Sequence, residues 1–151
     1  MREGNPVPGG HPVVLYDGVC GFCNRMVRRT LRRDRDALFR FAPLQGTLAR
    51  TILARHGVAL PPAASSDPGT IYLVLDYGAA GERLLARSDA VAFIVRYLPG
   101  FSLPAVFFRL LPRFLRDALY NFVARHRYRF FGRYDTCPLP RPEERARFLE
   151  S

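Results

Sequence analysis

The chain is predicted to fold as an α/β domain of element order βαβαββα with additional helices at its C-terminal end, and three observations predict it. Short β-branched runs alternate with stretches of helical period in the first third of the chain. A strand, a turn and a returning strand follow these two strand–helix units. Beyond Ser102 apolar and aromatic residues recur at helical spacing.

Each element follows from its residues. A leader rich in Pro and Gly, expected to be flexible, occupies residues 1–12 and precedes a single domain over residues 13–151. Val13-Val14-Leu15-Tyr16 reads as a buried strand, stopped by the turn pair Asp17-Gly18. From Gly21 to Arg33, a step of about 100° per residue puts Phe22, Cys23, Met26, Val27, Thr30 and Leu31 on one half of a helix, with Arg25, Arg28, Arg29 and Arg32 opposite. Leu38 to Ala42 is a second strand closed by Pro43, and Thr47 to His56 a second helix ended by Gly57. Residues 58–69 form a loop before the strand Thr70 to Leu75, which turns over Asp76 to Gly81 and returns over Glu82 to Ala86. Ser88 is expected to cap a helix running from Asp89 to Leu98. Ser102 and Pro104 mark the next helix start, and Pro112 breaks that helix. Phe114, Leu115, Ala118, Leu119, Phe122 and Val123 then form an apolar stripe that stops near Gly132; uncovered by the sheet, it would suit a dimer or a lipid contact. Early βαβ units imply a parallel strand pair and the hairpin an antiparallel edge, which is the thioredoxin order of elements.

Composition narrows the function. With 151 residues, 48% hydrophobic and 24% charged, the chain has the makings of a real core. Every basic residue is Arg, so Schiff-base chemistry and a P-loop lysine are excluded, and the net charge of +10 cannot titrate away. No apolar run reaches the roughly 18 residues of a membrane-crossing helix, and no secretory signal is visible. The expected compartment is therefore the cytoplasm, where a cysteine pair is more often catalytic or metal-binding than structural. Three cysteines, an odd number, also argue against a stapled fold.

Cys20-Gly21-Phe22-Cys23 carries the chemistry. A dithiol centre needs an exposed, ionised thiol and a second thiol within reach. Cys20 at a helix N-terminus, where free N–H groups and the macrodipole favour thiolate, suits the nucleophile. Cys23, a turn deeper on the apolar half of the wheel, suits the shielded resolving thiol. A zinc site would need four ligands, but Cys137, His11, His56 and His126 form no second close pair, so no metal and no cofactor is expected.

The string Tyr16-Asp17-Gly18-Val19-Cys20-Gly21-Phe22-Cys23 resembles the signature of the DCC family of thiol–disulfide oxidoreductases, named for an Asp-x-x-Cys-x-x-Cys motif. The likeness continues through Ser88-Asp89-Ala90, the aromatic C-terminal helices, and Phe131-Gly132 followed by Cys137 and Pro140. It implies a thioredoxin-like fold and protein-disulfide reductase activity on protein or small-thiol substrates. Asp17 matches the family's Asp; it either takes a proton from Cys23, orients the loop, or is a locally paired turn residue, and as a charge it opposes the Cys20 thiolate. Arg25 and its neighbours are candidates to offset it. Thioredoxins place a cis-proline before the central hairpin strand to align substrate. Here Pro68 takes that role with a shifted loop, or Thr70 takes it without a cis bond, or Pro68 is an ordinary loop proline; Phe22 completes the expected substrate contacts. Cys137 is either an accessory thiol exchanging with Cys20 or a packing residue.

A second reading is a basic binding module with a non-catalytic dithiol. Arg125, Arg127, Arg129 and Arg133 are interleaved with Phe and Tyr, which suits phosphates or anionic lipid as well as an ordinary solvated face. No nucleic-acid motif is present, so no specific nucleic-acid partner is expected, while a weak membrane-surface contact is.

Overall fold

Alternation along the first strand sets the layering. In β1 (Val13–Tyr16) all four residues are buried; Val14 and Tyr16 join one core cluster, Val13 and Leu15 the other. Successive strand residues point to opposite faces, so β1 is covered on both sides. The computed structural model, which describes residues 10–60, 70–100 and 102–149, sets β1 between β2 (Arg40–Pro43), parallel to it, and β3 (Tyr72–Leu75), antiparallel. The antiparallel β4 (Arg83–Ala86) completes a mixed sheet of order β2-β1-β3-β4.

Helix α1 (Gly21–Arg33) joins β1 to β2, and α2 (Thr47–Arg55) follows β2. Ala49, Ile52 and Leu53 of α2 pack with Val13 and Leu15. Val27 of α1, with Ala90 and Ile94 of α3 (Arg87–Tyr97), packs with Val14 and Tyr16 on the other face. Fully burying such a side chain contributes about 1.5–3 kcal/mol, so the two faces together hold the sheet. Helices α4 (Ser102–Leu110) and α5 (Arg113–Phe131) lie against α3, and α5 also against α1. This is a thioredoxin-like fold with a helical extension.

Several boundaries moved for identifiable reasons. The β2 ladder begins at Arg40 because the N–H groups of Leu38 and Phe39 donate to the Asp34 carboxylate, at 3.0 and 2.9 Å. Ser88 does not cap α3. The cap position is Ala86, and the buried Ser88 hydroxyl donates to Asp117 on α5. The stripe expected along α5 is split: Phe114, Leu115 and Phe122 are exposed, Leu119 and Val123 line an interior cavity, and Arg127 is the buried residue of that helix.

Of the leader, residues 1–9 lie outside the described residues, while Pro12 is buried and its carbonyl accepts from Arg40 N. Pro68 also lies outside them. After a 3-10 helix over Pro142–Arg147, the tail returns to the sheet: Leu149 N donates to Phe41 O, and the Phe148 ring packs against Phe41 and Tyr16. Among the described residues, no helix is long and apolar enough to cross a membrane.

Candidate active site

The loop leaving β1 is locked before the cysteines are reached. Asp17, buried at the strand end, accepts from Val19 N at 3.2 Å and from Gln45 Nε2 at 2.8 Å through Oδ1. The Gln45 Oε1 in turn accepts from Gly18 N at 3.0 Å. Asn24, buried on the first turn of α1, donates to the carbonyls of Gly18 and Cys20 at 2.6 and 3.0 Å. Five polar groups of the turn are thus paired inside the protein, which keeps the approach to the helix rigid.

Cys20 is the N-cap of α1, and its sulfur accepts from Cys23 N at 3.3 Å. It is 0% exposed, contrary to the exposed nucleophile expected. The reason is the chain leaving α5. Residues 131–134 lie across the loop, with Gly21 N donating to Gly132 O at 3.2 Å and Tyr134 N to Val19 O at 2.7 Å, and Cys20 bridged to Arg133. A Cβ at residue 21 would overlap the Phe131 carbonyl, so this close approach requires glycine. Cys23 is half-buried and lines an apolar cavity of about 300 Å³ bounded by α1, the sheet, α3, α4 and α5. Cys20 is thus covered rather than exposed, while Cys23 keeps some exposure toward the cavity and is the more densely surrounded thiol.

The electrostatics nevertheless separate the thiols in the expected sense. The Cys23 thiol hydrogen-bonds to the Cys20 sulfur and lowers its pKa most; burial opposes this, the Cys23 N–H and Arg127 reinforce it, and Asp17 opposes it, leaving Cys20 at about 7. That same bond and burial hold Cys23 far above the usual thiol range. Arg127, reaching in from α5 and only 4% exposed, donates to the Cys23 sulfur at 2.9 Å and to Asp17 Oδ2 at 3.0 Å. Burial works against its charge, but Cys23, Cys20, Tyr128 and Asp17 outweigh burial and raise its pKa. The Tyr128 hydroxyl donates to the same Asp17 oxygen, and burial with that bond keeps it protonated. Arg127, not Arg25, therefore balances Asp17; Arg25 lies over the Phe131 ring instead, 5.5 Å from its centroid.

The remaining expected residues divide. Phe22 lines the cavity beside Cys23 and packs on Phe131, with ring centroids 4.9 Å apart. Thr70 is half-buried ahead of β3; its neighbour Ile71, not Thr70, reaches the cavity. Cys137 sits against the active loop, close enough that a Cβ on Gly18 would lie 2.5 Å from its sulfur. Burial raises its pKa, so it stays a thiol. Among the described residues no three His, Cys, Asp or Glu side chains converge as a metal site. Sequence reasoning missed Gln45, Asn24 and Tyr128, and read Arg127 only as one of a basic series. Arg127 had a signal: Tyr120, Val123, Ala124 and Arg127 share one face by i, i+3, i+4, i+7 spacing.

A dithiol opening the helix that follows the first strand of such a sheet defines a thioredoxin-like redox protein. More particularly, the chain belongs to the DCC1-like thiol-disulfide oxidoreductase family, whose model matches residues 14–133. It is 34% identical to the "Uncharacterized protein YuxK" of Bacillus subtilis (strain 168) over 137 residues, covering 91% of this chain and 93% of that one. It is 36% identical to the "DCC family protein At1g52590, chloroplastic" of Arabidopsis thaliana over 129 residues, covering 85% of this chain and 69% of that one. No solved structure gives a significant match.

Proposed function

We propose that the protein exchanges a Cys20–Cys23 dithiol with disulfides of protein or small-thiol substrates, Cys20 acting as nucleophile and Cys23 as resolving thiol. The observation that carries this reading is the geometry of the pair: Cys20 caps α1 and its sulfur accepts from Cys23 N at 3.3 Å, while Arg127 donates to the Cys23 sulfur at 2.9 Å, and the bond between the two thiols lowers the Cys20 pKa and raises that of Cys23. A thiol whose pKa is lowered toward ambient pH combines ionised fraction with nucleophilicity best.

Cys20 thiolate attacks one sulfur of the substrate disulfide, forming a mixed disulfide and releasing the first substrate sulfur as thiolate. Cys23 then loses its proton to solvent or to that leaving thiolate and attacks the Cys20 sulfur. The second substrate thiol departs, leaving the enzyme as disulfide and the substrate reduced by two electrons. A thiol reductant of the compartment restores the dithiol. As Cys23 ionises, the Arg127 guanidinium at 2.9 Å stabilises the new charge. Phe22 supplies an apolar contact for substrate, Cys137 packs against the loop, and a cytoplasmic setting suits a pair kept reduced.

The test is trapping. Cys23→Ser is expected to accumulate mixed disulfides, Cys20→Ser to form none, and Cys137→Ser to behave as the parent. Identical behaviour of the first two variants would refute the assigned roles. A glutathione titration with mass readout of the Cys20–Cys23 bond then gives the direction of exchange.

A further inference from the structure

We infer that the outer face of α4 and α5 docks on an anionic lipid bilayer, independently of whether the dithiol exchanges with substrate. Helix α4 carries apolar residues toward the protein and away from it, with Arg109 its one charged residue. Phe108 faces inward, lining the cavity beneath the Arg116 guanidinium, whose carbon lies 5.7 Å from the ring centroid. Yet Leu103, Phe107 and Leu110 are 82%, 69% and 77% exposed, with Val106 beside them. These four follow i, i+3, i+4, i+7 spacing, so they form one stripe on the side away from the protein. The exposed Phe114 and Phe122 carry apolar surface onto α5. An exposed apolar stripe on a helix whose other side already packs inward marks an interaction surface.

Charge says which phase. Between residues 102 and 133 there are seven Arg and a single Asp; Arg113 and Arg116 meet Asp89 and Arg127 is buried against Asp17, which leaves Arg109, Arg125, Arg129 and Arg133 exposed. The single Asp of that stretch, Asp117, already accepts from the Ser88 hydroxyl and lies 3.9 Å from Arg113. Arg109, Arg125 and Arg129 are exposed and have no carboxylate partner among the described residues. A second copy packed on the same face would set arginines against arginines. A nucleic acid would take up the arginines but leave the aliphatic Leu103, Val106 and Leu110 in water. An anionic bilayer satisfies both, the apolar stripe entering the acyl boundary and the arginines reaching phosphates. Among the described residues no helix is long and apolar enough to cross, so the contact inferred is with the bilayer surface. Since α4 and α5 also close the cavity on which Cys23 opens, docking places that cavity directly behind the lipid-bound layer.

The experiment is co-sedimentation of the reduced full chain with phosphatidylcholine vesicles, with and without phosphatidylglycerol. Binding is expected with phosphatidylglycerol, weakening as salt rises. Phe107→Ser with Leu110→Ser should lower affinity on the order of a hundredfold, and Arg109→Gln or Arg125→Gln about fivefold each. Circular dichroism and the Cys20 alkylation rate should stay at parent values, since none of these residues touches the dithiol. No binding, or binding equal in parent and Phe107/Leu110 variant, overturns the inference. So does a dimer in sedimentation velocity that the Phe107/Leu110 variant dissociates, or tighter, salt-dependent binding to DNA that the same variant retains.

Discussion

Arg127 connects the two charges of the site, and its removal has separable effects. Its guanidinium reaches the Cys23 sulfur and the Asp17 carboxylate at 2.9 and 3.0 Å, and its positive charge lowers the Cys20 pKa. In Arg127→Met, Cys20 loses that cation, so its alkylation midpoint should rise above about 7. Asp17 meanwhile keeps a buried carboxylate with one partner fewer, which costs roughly 3 kcal/mol in urea unfolding. Asp17→Asn has the opposite sign at the thiol. It deletes the negative charge that disfavours the thiolate, so the midpoint should fall. In the parent protein, thiolate and hence the iodoacetamide rate decline up to about tenfold per pH unit below the Cys20 pKa. Rate profiles of the three proteins decide the matter: variants that shift together would mean that loop geometry, not charge, tunes Cys20.

Among the elements, the segment leaving α5 matters most to reactivity. It covers Cys20 through the Gly21–Gly132 and Val19–Tyr134 backbone hydrogen bonds, so substrate must displace it or enter beside it. Gly21→Ala adds a methyl that overlaps the Phe131 carbonyl and forces the segment outward. The expected result is faster alkylation of Cys20 in the folded protein, with a stability loss of about 1–3 kcal/mol. A stability loss without faster alkylation would show that something else shields the sulfur. None of this cover is legible in the sequence, because it joins residues more than a hundred positions apart. What was legible is local: β1 and α1 appear where the continuous apolar run and the 3.6-residue period put them, and the Cys-x-x-Cys falls at their junction. Ser88 failed as a cap because a partner on another helix, Asp117, took its hydroxyl. The α5 stripe was read as one apolar face, but only Leu119 and Val123 of it turn inward, beside Tyr120, Ala124 and Arg127, whose partner Asp17 lies 110 positions away and leaves no local signal.

Across the whole molecule, the last described residues finish what the sheet leaves open. With β2 at the edge, its outer side would offer unpaired backbone groups to any passing strand. The tail covers it: Leu149 N donates to Phe41 O at 2.9 Å, and Phe148 packs against the Phe41 ring with centroids 5.5 Å apart. Arg147 anchors the return, donating to the Asp34 carboxylate and, at 3.1 and 3.0 Å, to Phe39 O. Asp34 also holds the N–H groups of Leu38 and Phe39, so one carboxylate ties together the end of α1, the start of β2 and the tail. In sequence this stretch reads only as charged residues after a proline-rich turn, since nothing local points at Asp34. Arg147→Ala leaves that buried carboxylate without its cation and frees the tail, which should cost about 3 kcal/mol. For a chain of this size the loss corresponds to a fall in melting temperature on the order of 6–12 °C. Amide exchange at Leu149 and Arg40 should quicken together, because the tail and the β2 edge open as one. An unchanged melting temperature, or exchange that quickens at Leu149 alone, would mean that the tail rests on the sheet without supporting it.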